Sequence, residues 1–249
     1  KKIYIQEQNS FPGITNKILA KFASKIFVAY DNLHQFFNPN KIIQTGNPVR
    51  KDITTTLPNK KEACNFFQLS TDKKTILIIG GSLGAKTINE SIEKNLLQFQ
   101  QNNLQIIWQT GKVYYDGIIE RTKNIDLSSI KIQQFIREMN MAYAAADIVV
   151  SRAGALSISE LCIIGKPSIL IPSPNVSEDH QTKNAMALVT KNAAILIKDV
   201  EAKDTIDTTI LNLLQDETKL IELANNIKTL AKSNAATEIV TAILQDINH

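Results

Sequence analysis

Short apolar runs that do not alternate with polar residues recur along the chain, and stretches with helical spacing separate them. That is the pattern of a parallel sheet covered by helices on both faces, an α/β fold. Strands are predicted at 3–5, 26–29, 41–44, 75–79, 104–108, 130–134, 147–151, 168–171 and 194–197, and helices at 15–24, 60–67, 87–101, 139–146, 155–164, 179–191 and over most of the chain from 201 onward. Pro172-Ser173-Pro174 must be loop, because neither proline can serve a central ladder. Gly46-Asn47-Pro48 reads as a turn suited to a hinge. No internal repeat or low-complexity segment interrupts the alternation.

Two strand-to-helix junctions carry candidate chemistry. Gly80-Gly81-Ser82-Leu83-Gly84 directly follows the apolar run Thr75-Ile76-Leu77-Ile78-Ile79 and opens a helical pattern. A glycine turn at a helix start points several backbone N–H groups into one crevice, where the helix's positive end also favours an anion. The spacing is neither the three-glycine dinucleotide fingerprint nor a P-loop, since no Lys-Ser/Thr pair closes it. Arg152-Ala153-Gly154 repeats the arrangement between the strand at 147–151 and the helix at 155–164, which Gly165-Lys166-Pro167 stops. Two such turns at the carboxyl ends of parallel strands can face one crevice and hold a diphosphate between them. Glu160, about one and a half turns into the second helix, could then accept both hydroxyl hydrogens of a ribose diol. Plainer readings compete: a Gly-Gly turn is often punctuation, and Ser157-Ile158-Ser159-Glu160 is also a capping box that needs no ligand.

At 249 residues and 43% hydrophobic, the chain can bury a sizeable core. The formal charge of +4 is spread through helices without a basic stripe or interleaved aromatics, so nucleic-acid binding is not expected. No apolar run has the length of a membrane span and the Lys-Lys start is not a secretory signal, so the chain reads as cytosolic. Cys64 and Cys162 are too few and too isolated for a disulfide framework or a zinc site, and Cys162 falls on the apolar face of its helix. No Asp-x-Asp metal motif occurs, and no metal or cofactor is expected. Taken singly, Arg50 reads as a surface arginine, Gln181 and Asn184 as exposed polar positions on one helix side, Ile136 as packing, and His180 as a cap or surface residue.

The order and spacing of Gly46-Asn47-Pro48-Val49-Arg50, Gly80-Gly81-Ser82, the segment from Ser151 to Glu160, and Asp179-His180-Gln181-Thr182-Lys183-Asn184-Ala185 resemble those of the MurG family, glycosyltransferase family 28. The likeness runs from Ile3 to roughly the C-terminus. It implies a GT-B glycosyltransferase with a complete C-terminal Rossmann-like domain at 49–232, a remnant of the N-terminal acceptor domain with the hinge at 1–48, and a C-terminal helix at 233–249 that crosses back. Enzymes of this family transfer N-acetylglucosamine from UDP-N-acetylglucosamine to lipid I, forming lipid II for peptidoglycan, with inversion and without a metal. They work as peripheral proteins at the cytoplasmic face of the cell membrane.

The resemblance assigns Ser82 and its neighbouring amides to phosphate, the Ile136 backbone to uracil, and Ala155, Leu156, Ser157, Ile158, Ser159 and Glu160 to phosphate and ribose. It gives Gln181 the sugar hydroxyls, Arg50 a basic place at the hinge, and Asn9 a place lining the cleft from the other half. Three departures stand out. Gln6-Glu7-Gln8-Asn9 replaces the family's His-Glu-Gln-Asn, Leu83 stands where many members carry glutamine, and the N-terminal glycine-rich loops that carry the family's general base and most of its lipid I site do not occur. Two other readings share the same pocket: the UDP-sugar-binding half of a split transferase that needs a partner chain, or a related UDP-sugar transferase or epimerase with a different acceptor.

Overall fold

The structure, a computed structural model, describes residues 1–55 and 57–248. Thr56 and His249, the last residue of the segment expected to cross back, lie outside the described residues. Two parallel sheets organise the rest. The first has the order β1 (Tyr4–Glu7), β2 (Lys25–Val28), β3 (Ile42–Gln44), with α1 (Ile14–Leu19) between its first two strands.

A short helix, α2 (Lys51–Thr54), and α3 (Lys60–Phe66) lead into the second sheet. Its strands are β4 (Thr75–Ile79), β5 (Gln105–Gln109), β6 (Ile130–Gln133), β7 (Ile148–Ser151), β8 (Ser168–Leu170) and β9 (Ile195–Leu196), in the spatial order β6-β5-β4-β7-β8-β9. Every pairing is parallel. The helices between them are α4 (Lys86–Lys94), α5 (Leu96–Gln101), α6 (Tyr115–Thr122), α7 (Met139–Ala145), α8 (Ala155–Ile164) and α9 (His180–Val189), followed by α10 (Ala202–Gln215), α11 (Glu217–Thr229) and α12 (Ala235–Ile247). From β4 the chain builds outward through β5 and β6, then returns to place β7 on β4's other side. The strand order therefore reverses between β4 and β7, the place where open α/β sheets bind ligands.

β4 shows why its apolar run does not alternate. All five residues are buried. Leu77 and Ile79 enter one core with residues of α3, α7 and α8, whereas Ile76 and Ile78 enter a second core with residues of α4 and α10. Successive side chains of a strand point to opposite faces, so a strand covered on both must be apolar at every position.

Three expected elements differ in the structure, and α6 is an addition to them. The helix expected at 87–101 breaks at Asn95, whose buried side chain donates to the Ser91 carbonyl at 2.9 Å and competes with the backbone there. The helix expected at 15–24 ends at Leu19; it buries none of its own residues and so lacks the packing that sustains a longer helix. The first strand is shifted to include Glu7, whose buried carboxylate accepts from Asn9 N–H at 2.9 Å and Asn16 Nδ2 at 2.8 Å and folds the following loop. α6 was not expected, because only Ile118 and Thr122 of its residues are buried and the apolar stripe is too thin to register.

α12 lies beside the first sheet. The Tyr4 hydroxyl donates to Asp246 at 2.7 Å, and a side chain at Gly46 would strike Lys232, with a Cβ only 2.4 Å from that lysine's Cβ.

Candidate functional site

The two glycine turns leave neighbouring strands, since Ile79 of β4 pairs with Ser151 of β7 and Arg152 N–H donates to the Ile79 carbonyl at 3.3 Å. Gly81 and Gly84 hold left-handed φ values of 85° and 90°, a region open to glycine at little cost. The loop after β5 packs against this turn without room for side chains: a Cβ at Gly84 would lie 2.2 Å from the Thr110 carbonyl oxygen, and one at Gly111 would lie 2.1 Å from Gly84 N. Carbonyls of the turn face inward, where Ser82 accepts from Lys112 N–H at 3.1 Å and Gly81 from Gln109 Nε2 at 3.2 Å. Ser82 itself is exposed, as is Leu83.

Neither helix start is capped by a side chain. Ala85 precedes α4 and Gly154 precedes α8, and α8's first backbone bond is Ile158 N–H to the Gly154 carbonyl. Among the described residues, the N–H groups of Ala155, Leu156 and Ser157 have no acceptor. Such orphan donors, with the helix's partial positive charge, form an anion site. The capping-box reading of Ser157 to Glu160 is thereby corrected. Gly154 is the cap, so Ser157 and Glu160 lie inside the helix, and Ser159 instead donates back to the Ala155 carbonyl at 3.0 Å.

Glu160 has the most elaborate setting. Its side chain is only 13% exposed; one carboxylate oxygen accepts from Arg50 Nε at 3.2 Å and the other from the Tyr143 hydroxyl at 3.0 Å. Burial pushes the carboxyl above its ordinary range, against the opposing pull of Arg50 and of the Tyr143 hydrogen bond. The phenol of Tyr143, buried beside that carboxylate, is pushed well up as well. Arg50 thus has a partner inside the fold, although the guanidinium side chain is 41% exposed.

Ile136 is buried, and its backbone N–H donates to Gln109 Oε1 at 2.9 Å. Gln109 therefore ties the β6–α7 connection to the glycine turn. Gln181 stands in the first turn of α9, where its Oε1 accepts from Ser173 N–H at 2.9 Å. Asn184 is not the exposed residue expected: it is fully buried, accepts from the Ser10 N–H at 2.8 Å and hydroxyl at 3.0 Å, and donates to Asn9 Oδ1 at 3.0 Å. Ser159 is turned toward the hinge, where Asn47 Nδ2 donates to its hydroxyl at 3.0 Å and to the Gln8 carbonyl at 3.0 Å. His180 begins α9, half-buried, with Nε2 3.6 Å from Glu178.

Arg152 points away from the turn's amides. It donates to the Ile171 and Pro172 carbonyls at 3.0 and 3.1 Å and pairs with Asp199, which also accepts from Thr87 Oγ1 at 2.8 Å. The ends of β7 and β8 and the first turn of α4 are thus fixed to one another. A cavity of about 960 Å³ opens between the two sheets, lined by Ser10, Tyr30, Asn47, Ser159, Cys162 and Lys183 among others, but neither glycine turn nor Glu160 borders it.

Sheet order and the buried acid together define a Rossmann-type α/β chain with two uncapped helix starts at its switch point. The family model described as the glycosyltransferase family 28 C-terminal domain matches residues 75–239, and the chain belongs to that family. It is 52% identical over 244 residues to the UDP-N-acetylglucosamine--N-acetylmuramyl-(pentapeptide) pyrophosphoryl-undecaprenol N-acetylglucosamine transferase of Parabacteroides distasonis, and 51% identical over 243 residues to the protein of the same name from Bacteroides thetaiotaomicron. These alignments cover 98% and 97% of the chain but 66% and 65% of the relatives, so the chain spans just under two thirds of their length. The crystal structure of Acinetobacter baumannii MurG superposes with a TM-score of 0.74 at 27% identity, covering 98% of this chain and 67% of that one. A UDP-N-acetylglucosamine 2-epimerase superposes with a TM-score of 0.65 at 12% identity over 95% of this chain and 61% of that one, a likeness of fold. The expected GT-B architecture is therefore present.

Proposed function

We propose that this chain is the donor-binding part of an inverting glycosyltransferase that moves N-acetylglucosamine from UDP-N-acetylglucosamine to lipid I, giving lipid II. The observation that carries this is the pairing of two uncapped helix starts on adjacent strands with a buried, oriented carboxylate on the second helix. In this assignment the amides around Ser82 and those of Ala155 to Ser157 hold the diphosphate, and Glu160 takes the ribose diol. The Ile136 segment faces uracil with its carbonyl, because Gln109 occupies its N–H, and Gln181 reads the sugar. As UDP departs, negative charge grows on the β-phosphate; fixed N–H donors then stabilise the transition state more than the ground state. Helix starts supply the positive potential that a metal ion supplies in other transferases.

Residues 49–232 form the donor domain, 1–48 belong to the acceptor side with the hinge, and 233–249 return to that side. Lipid I, the base that takes its proton, and the peripheral contact with the cytoplasmic membrane face are assigned mainly to the length of the relatives that this chain does not span. Calorimetry tests the donor reading. The chain should bind both UDP and UDP-N-acetylglucosamine, and Glu160→Ala should weaken each about tenfold or more, the loss of a charged hydrogen bond of roughly 1.5–3 kcal/mol. Equal affinity in the variant would remove Glu160 from the site.

A further inference from the structure

Tyr143 has no place among the motif residues, yet its phenol is the only neutral donor on Glu160 among the described residues. It is 1% exposed, and its ring packs in the core shared by α7 and α8. An ionised carboxylate offers about four lone-pair directions. Arg50 Nε occupies one on the first oxygen at 3.2 Å and Tyr143 one on the second at 3.0 Å, which leaves one on each oxygen for a pair of vicinal hydroxyls. Arg50 is long and 41% exposed, so it neutralises the acid without fixing its torsion as firmly as Tyr143, which is immobilised by its packing.

We propose that Tyr143 is a positioning residue: its hydroxyl fixes the Glu160 carboxylate in the orientation that reads a ribose 2′,3′-diol, and it thereby sets the preference for ribonucleotides over 2′-deoxyribonucleotides. This rests on the donor-site reading of Glu160. The groups that bear on the carboxylate from neighbouring elements are Arg50 before α2, Asp52 in α2 and Tyr143 in α7. Arg50 and Tyr143 favour its charged form, while burial and Asp52 oppose it. Removal of the phenol hydroxyl should therefore raise the pH at which a diol-accepting carboxylate is lost.

The test measures binding of UDP and 2′-deoxy-UDP to the 249-residue chain by calorimetry across acidic to neutral pH. Wild type should prefer UDP by about tenfold. Tyr143→Phe should weaken UDP well beyond 2′-deoxy-UDP, which keeps only the 3′-hydroxyl on Glu160, so that most of the preference is lost, and it should show its acid loss of UDP binding at higher pH. A site-specific fluorotyrosine at 143, a stronger donor of the same shape, should move that acid limb the opposite way, and it serves if the phenylalanine variant does not fold. Undiminished discrimination and an unmoved acid limb in these variants would overturn the role of Tyr143 alone. A wild-type chain that binds UDP but does not distinguish it from its 2′-deoxy form would overturn the ribose reading of Glu160, and this inference with it.

Discussion

Gly84 and Gly111 meet at a contact that no other residue type can make, because each combines a positive φ with a Cβ position that another backbone atom already fills. Gly111→Ala should destabilise the chain by about 2 kcal/mol or more, from left-handed strain and overpacking together. In thermal denaturation that is a fall of roughly 4–8 °C; an unchanged transition would mean the two loops separate freely. Glu160 carries an opposite lesson. Its folded carboxyl is raised by burial, so its favourable contribution is fully present below the ordinary carboxyl range and is lost as pH rises through the raised folded value. Glu160→Gln should therefore be at least as thermostable as wild type at neutral pH, with the gap closing under acid, while binding UDP more weakly. A variant less stable at neutral pH would show that the Arg50 pair outweighs the burial. Gln181 has its carbonyl oxygen held by Ser173, and among the described residues its amide donates to no side chain or backbone group. Gln181→Ala should weaken binding of UDP-N-acetylglucosamine and leave UDP nearly unchanged in parallel titrations; equal losses would place Gln181 in the nucleotide contact or the fold.

Elements that bury two faces were legible in the sequence, and those that bury one thin stripe were not. β4 was readable to the residue because every one of its positions must be apolar, and α8 because Gly154 and Gly165 bracket it. α6 and the break at Asn95 depend on tertiary packing and on a side chain bonding its own helix, which periodicity does not register. The same limit applies to the site. The two glycine turns announce themselves, whereas the Tyr143 contact to Glu160 spans two helices, and the burial of Asn184 depends on a loop 174 positions away in sequence. Asn184 fastens that loop, residues 8–12, to α9. Asn184→Ala should leave the half-buried Ser10 N–H without its acceptor, at about 1 kcal/mol. Hydrogen exchange should then quicken at residues 8–12 while β4 and β7 stay protected; uniform loss of protection would make Asn184 part of the global core instead.

At the scale of the whole molecule, the smaller sheet is the less enclosed part. Among the described residues β1 is paired on one side only, and α1 with its following turn exposes Ile14, Ile18 and Phe22, the last at 68%. The hinge residue Asn47 bonds to Ser159 of α8, and the terminal helix, which follows α11, bonds to Tyr4 of β1. Because the chain spans just under two thirds of its relatives, donor binding should be separable from transfer. The isolated chain is expected to bind the nucleotide sugar without measurable transfer to a lipid I analogue, and transfer should appear when the remaining length of the relatives is supplied as a second polypeptide. Robust turnover by the chain alone would direct the search for a base to Glu178, Asp179 and His180, beside the sugar position assigned to Gln181. The central claim, that the switch-point crevice is the donor site, is tested most directly by a crystal structure of this chain with UDP. The account predicts the diphosphate between the amides at Ser82 and those at Ala155 to Ser157, with both ribose hydroxyls on Glu160. UDP lodged in the cavity between the sheets, or held without contact to either glycine turn, would contradict it.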